Sequence, residues 1–392
     1  SARQKTPPEP LDSIAAPDSA LQPPFREKFR ITHSFDVTNR SRHFNDNFAD
    51  AGFYAQTYSQ DSLTADSLSF LSWTNDISFL SDSVHIGSYP FRLNAGINPD
   101  FFRYRFQDSV LSGYGIGING RIIHQRSRSS FELAGKWTLL GSFAGDYEAS
   151  ATYRVSWGAD QREQMLSLRF HVNGYSADPV VRFFQSTHFI WDNHFVRQHE
   201  AGLNAEWNHP LSGTRFSAGV TIDQNRIYFD SNGYPSQLQG QMITGSAEGA
   251  RLFRAGPFRS HISLLVQKST SGIIRLPLFV GSASTYLHHD LDFPKYNGHL
   301  ELEYGFDANY TSAFYGYAFM PATGVFMPED DKLLGNYPRL DFFAQFKLKR
   351  TRVFFAWCQT LSDIMPEQSF MVLHYPLMRP HFKYGIYWHF YD

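Results

Sequence analysis

The chain has 392 residues with a formal net charge of -2, and its 17% aromatic content, with 37 Phe and 21 Tyr, nearly equals its 18% charged content. Ordinary soluble domains carry roughly 25% charged residues, and no basic run offers the concentrated surface that phosphate binding requires, so nucleic acid is excluded as a partner. No apolar stretch is long enough to cross a bilayer as a helix, and the single cysteine, Cys358, excludes an internal disulfide and a cysteine zinc cluster.

A mean hydropathy of -0.36 suits a water-soluble protein. It suits a transmembrane β-barrel equally well, because lipid-facing and lumen-facing residues alternate along each strand and average out. The chain starts at Ser1 with no basic segment followed by an apolar one, the form expected after removal of a signal peptide. Residues 1–27 contain Pro7, Pro8, Pro10, Pro17, Pro23 and Pro24, which favour extended, unpaired backbone. This segment is expected to be a flexible tail on the periplasmic side, or a docking segment for a partner there.

From about Phe29 the pattern turns to period two, and residues 28–392 are expected to form one barrel. The segments 28–38 and 51–59 read as the first strands. In "SATYRVSW", Ala151, Tyr153, Val155 and Trp157 oppose Ser150, Thr152, Arg154 and Ser156; in "SLRFHVN", Leu168, Phe170 and Val172 oppose Arg169 and His171. Segment 182–191 reads as the next strand. "EAGLNAEWN" sets Leu203, Ala205 and Trp207 against Glu200, Asn204 and Glu206. Further along, 272–280 and 311–319 read as strands, with a turn at 307–310 between 298–306 and 311–319. "LDFFAQFKLK" divides Leu340, Phe342, Ala344, Phe346 and Leu348 from Asp341, Phe343, Gln345, Lys347 and Lys349. The last strand places Phe382, Tyr384, Ile386, Trp388 and Phe390 on one apolar face.

No 3.6-residue pattern competes, so the fold class is all-β: a transmembrane antiparallel up-and-down β-barrel of about 16–18 strands. Many segments approach the length that a tilted strand needs to cross the hydrocarbon. Trp137, Trp157, Trp191 and Trp207 fall at expected strand ends, where an indole buries its ring and bonds at the lipid–water boundary. With the final strand ending in the periplasm, 281–297, 320–338 and 361–380 become outer loops, while 209–212 and 253–256 become short outer connections. Both termini are expected in the periplasm of a bacterial outer membrane.

The segments "YGYAFMPATGVF" (315–326), "NYPRLDFFAQFKLKRTRVFFAW" (336–357) and "HYPLMRPHFKYGIYWHFYD" (374–392) resemble the putative porin family of Bacteroidota outer membranes. The resemblance implies an outer-membrane barrel, an aromatic residue third from the end, here Phe390, and a terminal strand of the kind read by the barrel-insertion machinery.

In a pore, the inward set Lys136, Arg154, Arg169, Glu200, Glu206, Arg215, Asp223, Glu301, Glu303 and Lys347 would line the lumen, and opposed charges would bias which ions pass. The same residues could instead interlock as a polar plug. His288, His289, Asp290 and Asp292 form a possible metal cluster, yet adjacent histidines in extended chain point in opposite directions, and a solvated loop is the simpler reading. Glu329, Asp330, Asp331, Asp363 and Glu367 fall in outer loops without calcium-loop spacing. His171, His199, His261 and His299 have no Ser or Asp at a spacing that marks a hydrolytic site, and no nucleophile-elbow, zincin or phosphate-loop motif occurs. No catalytic residue, metal site or cofactor is therefore assigned. The expected partners are outer-membrane lipid and lipopolysaccharide, the insertion machinery, and other outer-membrane proteins or lipoproteins meeting the wall or the tail.

Two functions follow. One is a channel for passive diffusion of small hydrophilic solutes, favoured by the scattered inward charges. The other is a non-conducting subunit of a larger outer-membrane complex for barrel assembly, secretion or nutrient uptake, favoured by the Pro-rich tail. A soluble sandwich would have to bury its aromatic faces between two sheets.

Overall fold

A computed structural model describes residues 29–47, 52–58, 64–87, 89–107, 109–158, 163–293, 298–364, 370–373 and 375–388. Strands β1 (Arg30–Asp46), β2 (Thr64–Ile86), β3 (Tyr89–Phe106), β4 (Ser109–Gln125), β5 (Ser129–Gly141), β6 (Tyr147–Trp157) and β7 (Gln164–Tyr175) follow one another as neighbours. A loop then carries helix α1 (Pro179–Arg182) and the small hairpin of β8 (Phe183–Gln185) and β9 (Ile190–Asp192). After β10 (Gln198–His209) and β11 (Thr214–Gln224), a second loop holds β12 (Ile227–Phe229) and β13 (Pro235–Gln237).

The wall resumes with β14 (Gln241–Ala255), β15 (Phe258–Ser269), β16 (Phe279–Phe293) and β17 (Gly298–Thr311). A third loop forms the hairpin of β18 (Phe314–Met320) and β19 (Val325–Leu334), and β20 (Tyr337–Leu348) and β21 (Thr351–Cys358) return to the wall. A last loop with β22 (Phe370–Val372) and β23 (Tyr375–Pro376) leads to β24 (His381–Trp388). Sixteen of these strands make one antiparallel sheet in sequence order, β1 to β24 without the loop strands, which is the up-and-down barrel wall.

Alternation is what holds the wall in register, since a slip by one residue would turn every side chain to the other face. Leu133, Phe170, Leu203, Val220, Leu264 and Phe342 all stand exposed on the outer face. The inner face carries their neighbours in sequence. One row of inward residues, Lys136, Glu148, Asn173 and Glu200, runs straight across β5, β6, β7 and β10 by cross-strand pairing.

The chain passes from β2 to β3, β4 to β5, β6 to β7, β10 to β11, β14 to β15, β16 to β17 and β20 to β21 at one end of the wall, hereafter the turn end. It leaves β1, β7, β11, β15, β17 and β21 at the other, the loop end, where 176–197, 225–240, 270–278 and 312–336 lie. The expected placement of 209–212 and 253–256 among outer loops is thus corrected: both belong to short connections of the turn end. The expected turn at 307–310 is part of β17, where Ala308 pairs with Leu340 and Asn309 with Arg339. Most of the expected loop 281–297 is strand β16.

Wall height is uneven. β2 has 23 residues and β1 has 17, whereas β21 and β24 have 8 each.

The buried core sits at the loop end. Tyr104 and Phe106 of β3 pack with Phe184, Phe189, Trp191, Met320 and Ala322 from the loops, and Phe44, Leu68, Phe70, Phe102 and Leu111 from β1 to β4 lean on them. Segments 182–191 and 311–319, expected as wall strands, belong to this lid: β8–β9 and β18–β19 pair only with themselves. Trp191 is accordingly buried, at 6% exposure, rather than placed at a lipid boundary. Residues 52–58 form turns and irregular backbone, and 270–278 is mostly loop.

Candidate functional site

Halfway down the inner face, six adjacent strands, β3 to β7 and β10, enclose a cavity of about 580 Å³. Asn94 and Asn119 line it from β3 and β4, Lys136 from β5, Glu148 and Ser150 from β6. Arg169, His171 and Asn173 reach it from β7, and Glu200 and Asn204 from β10. No Phe, Tyr or Trp and no branched aliphatic side chain lines it; its small members are glycine, alanine and Ser150.

The polar groups are partly engaged with each other. Glu200 accepts from Asn173 Nδ2 at 3.0 Å and lies 3.2 Å from His171 Nε2. Lys136 leans toward Asp100 at 3.8 Å instead of toward Glu148, its partner in register. Asn119 donates to Asp76 at 2.5 Å, and so does Asn98 at 2.7 Å. Asp76 is also held by Ser78 Oγ, so one carboxylate gathers three donors from three strands. This network keeps the inner face polar, while the Oδ1 atoms of Asn98 and Asn119 are left buried without a hydrogen-bond partner among the described residues.

Three of the ten expected lining residues, Lys136, Arg169 and Glu200, meet in this cavity. The others lie elsewhere in the inward phase. Arg154 pairs with Glu132 at 3.5 Å, and Arg121 shares the same carboxylate at 3.2 Å. Arg215 pairs with Glu248 at 3.4 Å, and Lys347 with Glu301 at 2.7 Å. Glu303 accepts from Gln345 and lies 2.9 Å from His288 Nδ1. Asp223 is buried and binds Arg226 at 2.7 Å, which ties β11 to the loop that follows it. Glu206 stands opposite Ser217 and Ser167.

Adjacent His288 and His289 do point to opposite faces: His288 contacts Glu303, while His289 stacks on Tyr304 with centroids 5.8 Å apart. They lie in β16, not in a loop. Asp330, in β19, pairs with Arg275 at 2.8 Å. Glu367 and Phe390 lie outside the described residues. On β24, Tyr384 and Ile386 are exposed at 74% and 71% on the outward face, with Phe382 and Trp388 beside them.

Sequence reading by charge missed Asn94, Asn119, Asn173 and Asn204, although each has the same strand phase as the charges beside it. It also missed Glu132 and Glu148, which stand in phase with Lys136 and Arg154. A search by phase rather than by charge would have found all six.

Above the cavity, the lid is fastened to the wall by polar contacts. Asp66 of β2 accepts from the backbone N–H and the hydroxyl of Thr187, at 2.8 and 2.7 Å. Thr64 bonds His188 Nε2 at 3.0 Å, and Tyr54 stacks on that ring at 3.8 Å. Burial pushes the Tyr54 hydroxyl up to about 12. Asp178 caps α1 through the Val180 N–H at 2.8 Å and accepts from the Tyr104 hydroxyl at 3.3 Å. Arg42 of β1 donates to the carbonyls of Pro321 and Ala322 at the tip of the β18–β19 hairpin. Gly324 there has φ 73°, and a Cβ would sit 2.8 Å from Arg42 Nε, so this contact requires glycine.

A family model described as "Putative porin" matches residues 20–392. No curated protein sequence matches. Among solved structures, the siderophore receptor PirA from Acinetobacter baumannii aligns with a TM-score of 0.59 at 9% identity, covering 91% of this chain and 59% of that one. A mutant of the ferric enterobactin receptor PfeA from Pseudomonas aeruginosa aligns at 0.55 and 10%, covering 84% and 54%. The FrpB iron transporter from Neisseria meningitidis aligns at 0.55 and 12%, covering 84% and 56%. At these identities the likeness is one of fold, and the chain spans a little over half the length of these outer-membrane barrels.

Proposed function

The chain belongs to the Putative porin family of outer-membrane barrels, and from that premise we propose that it is a channel for passive diffusion of small hydrophilic solutes, with no chemical step. The turn end and both termini face the periplasm in this reading, because outer-membrane barrels keep short turns there and long loops outside. The exposed aromatic face of β24 contacts lipid and serves the insertion machinery.

The observation that carries the proposal is the polar cavity on the inner face, where Lys136 and Arg169 stand beside Glu148 and Glu200 on neighbouring strands. Charges that line a water-filled path set its ion preference. Single-channel recording of the purified, refolded protein in a planar bilayer tests it. Steady ohmic steps whose selectivity changes on Glu200→Lys support the channel; silence from a demonstrably folded barrel overturns it.

The lid favours a second reading. Loops that pack as a hydrophobic core against the inner wall narrow one mouth, as a non-conducting subunit of a larger outer-membrane complex would tolerate. That reading expects stoichiometric co-purification with other outer-membrane proteins.

A further inference from the structure

The cavity holds one cation and one anion that the protein leaves without partners. Among the described residues, the exposed side chains of Arg169 and Glu148 form no hydrogen bond or ion pair, and neither do the side-chain amides of Asn94 and Asn204. Their neighbours are already engaged: Glu200 with His171 and Asn173, Lys136 with Asp100, Arg121 with Glu132.

The two free charges are separated in height. Glu148 lies in the row with Asn173 and Glu200, near the lid. Arg169 lies in the row with Thr152 and Asn204, four residues further toward the turn end. At about 3.4 Å per residue the rows stand roughly 14 Å apart, a gap that two long side chains shorten from either side.

Resting on the lumen as the solute path, we infer that this cavity is a binding site for small zwitterionic solutes of the di- or tripeptide class, with Glu148 taking the ammonium and Arg169 the carboxylate. Extended di- and tripeptides span about 7–11 Å, which fits between the two side chains. Guanidinium and carboxylate pair bidentately. Asn94 and Asn204 each offer a donor and an acceptor, the complement of a peptide group.

Glu148 and Arg169 are both exposed to the lumen, so a neutral sugar would leave both charges to water alone and a simple anion or cation would leave one, whereas a zwitterion pairs both. A lining without Phe, Tyr, Trp or branched aliphatic side chains favours small or polar side chains on the solute.

Isothermal titration calorimetry of the full chain in detergent tests the site, with triglycine, N-acetyl-triglycine, triglycinamide and sucrose as probes. Triglycine should bind, and either capped form should bind at least fivefold more weakly. Arg169→Gln should lose affinity for triglycine and no longer distinguish it from triglycinamide; Glu148→Gln should cease to distinguish it from the N-acetyl form. That matched loss reports the pairing itself and not general damage. Sucrose binding as tightly as triglycine, indifference to capping, or no triglycine heat from the folded wild type would each overturn the inference. Binding without conductance would sink the channel reading and leave the site standing; conductance without triglycine binding would do the reverse.

Discussion

The lid and the mid-height lumen meet along the same strands, β3 and β4, yet they obey opposite chemistry. Along β3 the inward positions run Asn94, Gly96, Asn98 and Asp100, then change to Phe102, Tyr104 and Phe106. The lower four belong to a polar face on which Asn98 is buried and donates to Asp76, and the upper three to a core with Phe184 and Trp191. Strand phase decides which face a residue joins. Whether that face meets water or a folded loop decides what residue is tolerated there.

The sharpest way to break this contrast is to empty the lid. Trp191 stacks on Phe184 at 4.6 Å and donates to the Val180 carbonyl at 2.9 Å. Trp191→Ala should cost the lid about 3–5 kcal/mol, raising hydrogen exchange across 176–197 and conductance while the wall keeps its resistance to heat. Equal loosening of β5 to β7 would show that lid and wall are one cooperative unit. Next comes the fastening: Asp66→Ala strands the Thr187 donors and should cost about 1–3 kcal/mol, read as protease cleavage near Thr187 before any wall segment.

Charge changes in the lumen should act on selectivity instead of stability. The Lys347–Glu301 pair is partly exposed, so Lys347→Met should change stability by less than about 1 kcal/mol while shifting the reversal potential toward cations. The smallest effect is alkaline. Burial raises the folded Tyr54 hydroxyl from its ordinary 10 to about 12, so the neutral form is the one the lid favours. Its contribution is complete below pH 10 and is lost as pH rises from 10 to about 12. Absorbance titration should place one tyrosine in that window and lose it in Tyr54→Phe; titration of Tyr54 near 10 would mean that the lid does not cover it.

Most of the wall was legible in the sequence because alternation is enforced by two unlike solvents, lipid outside and water inside. β5 to β7, β10 and β20 fall within a few residues of where period two placed them. The loop strands were misread as wall. Phe183, Phe184, Ile190 and Trp191 carry the ring and β-branched side chains of a strand, but no signal in their own residues says that their partner is another loop. At 307–310, Asp307 and Asn309 suggested a turn, whereas they are polar because they face inward across from Asp341 and Arg339. The cavity was half legible: Lys136, Arg169 and Glu200 were found, Glu148 was not, and the asparagines were passed over because amides serve turns as readily as solutes.

The uneven wall leaves its mark on the surrounding lipid. A strand tilted by about 40° advances about 2.6 Å per residue along the membrane normal, so the eight residues of β21 reach about 20 Å, short of the roughly 25 Å apolar band of such barrels. Trp357, exposed near its loop-end rim, suits an indole anchor at that lower height. Acyl chains beside β21 meet a shorter apolar band than those beside the 23 residues of β2.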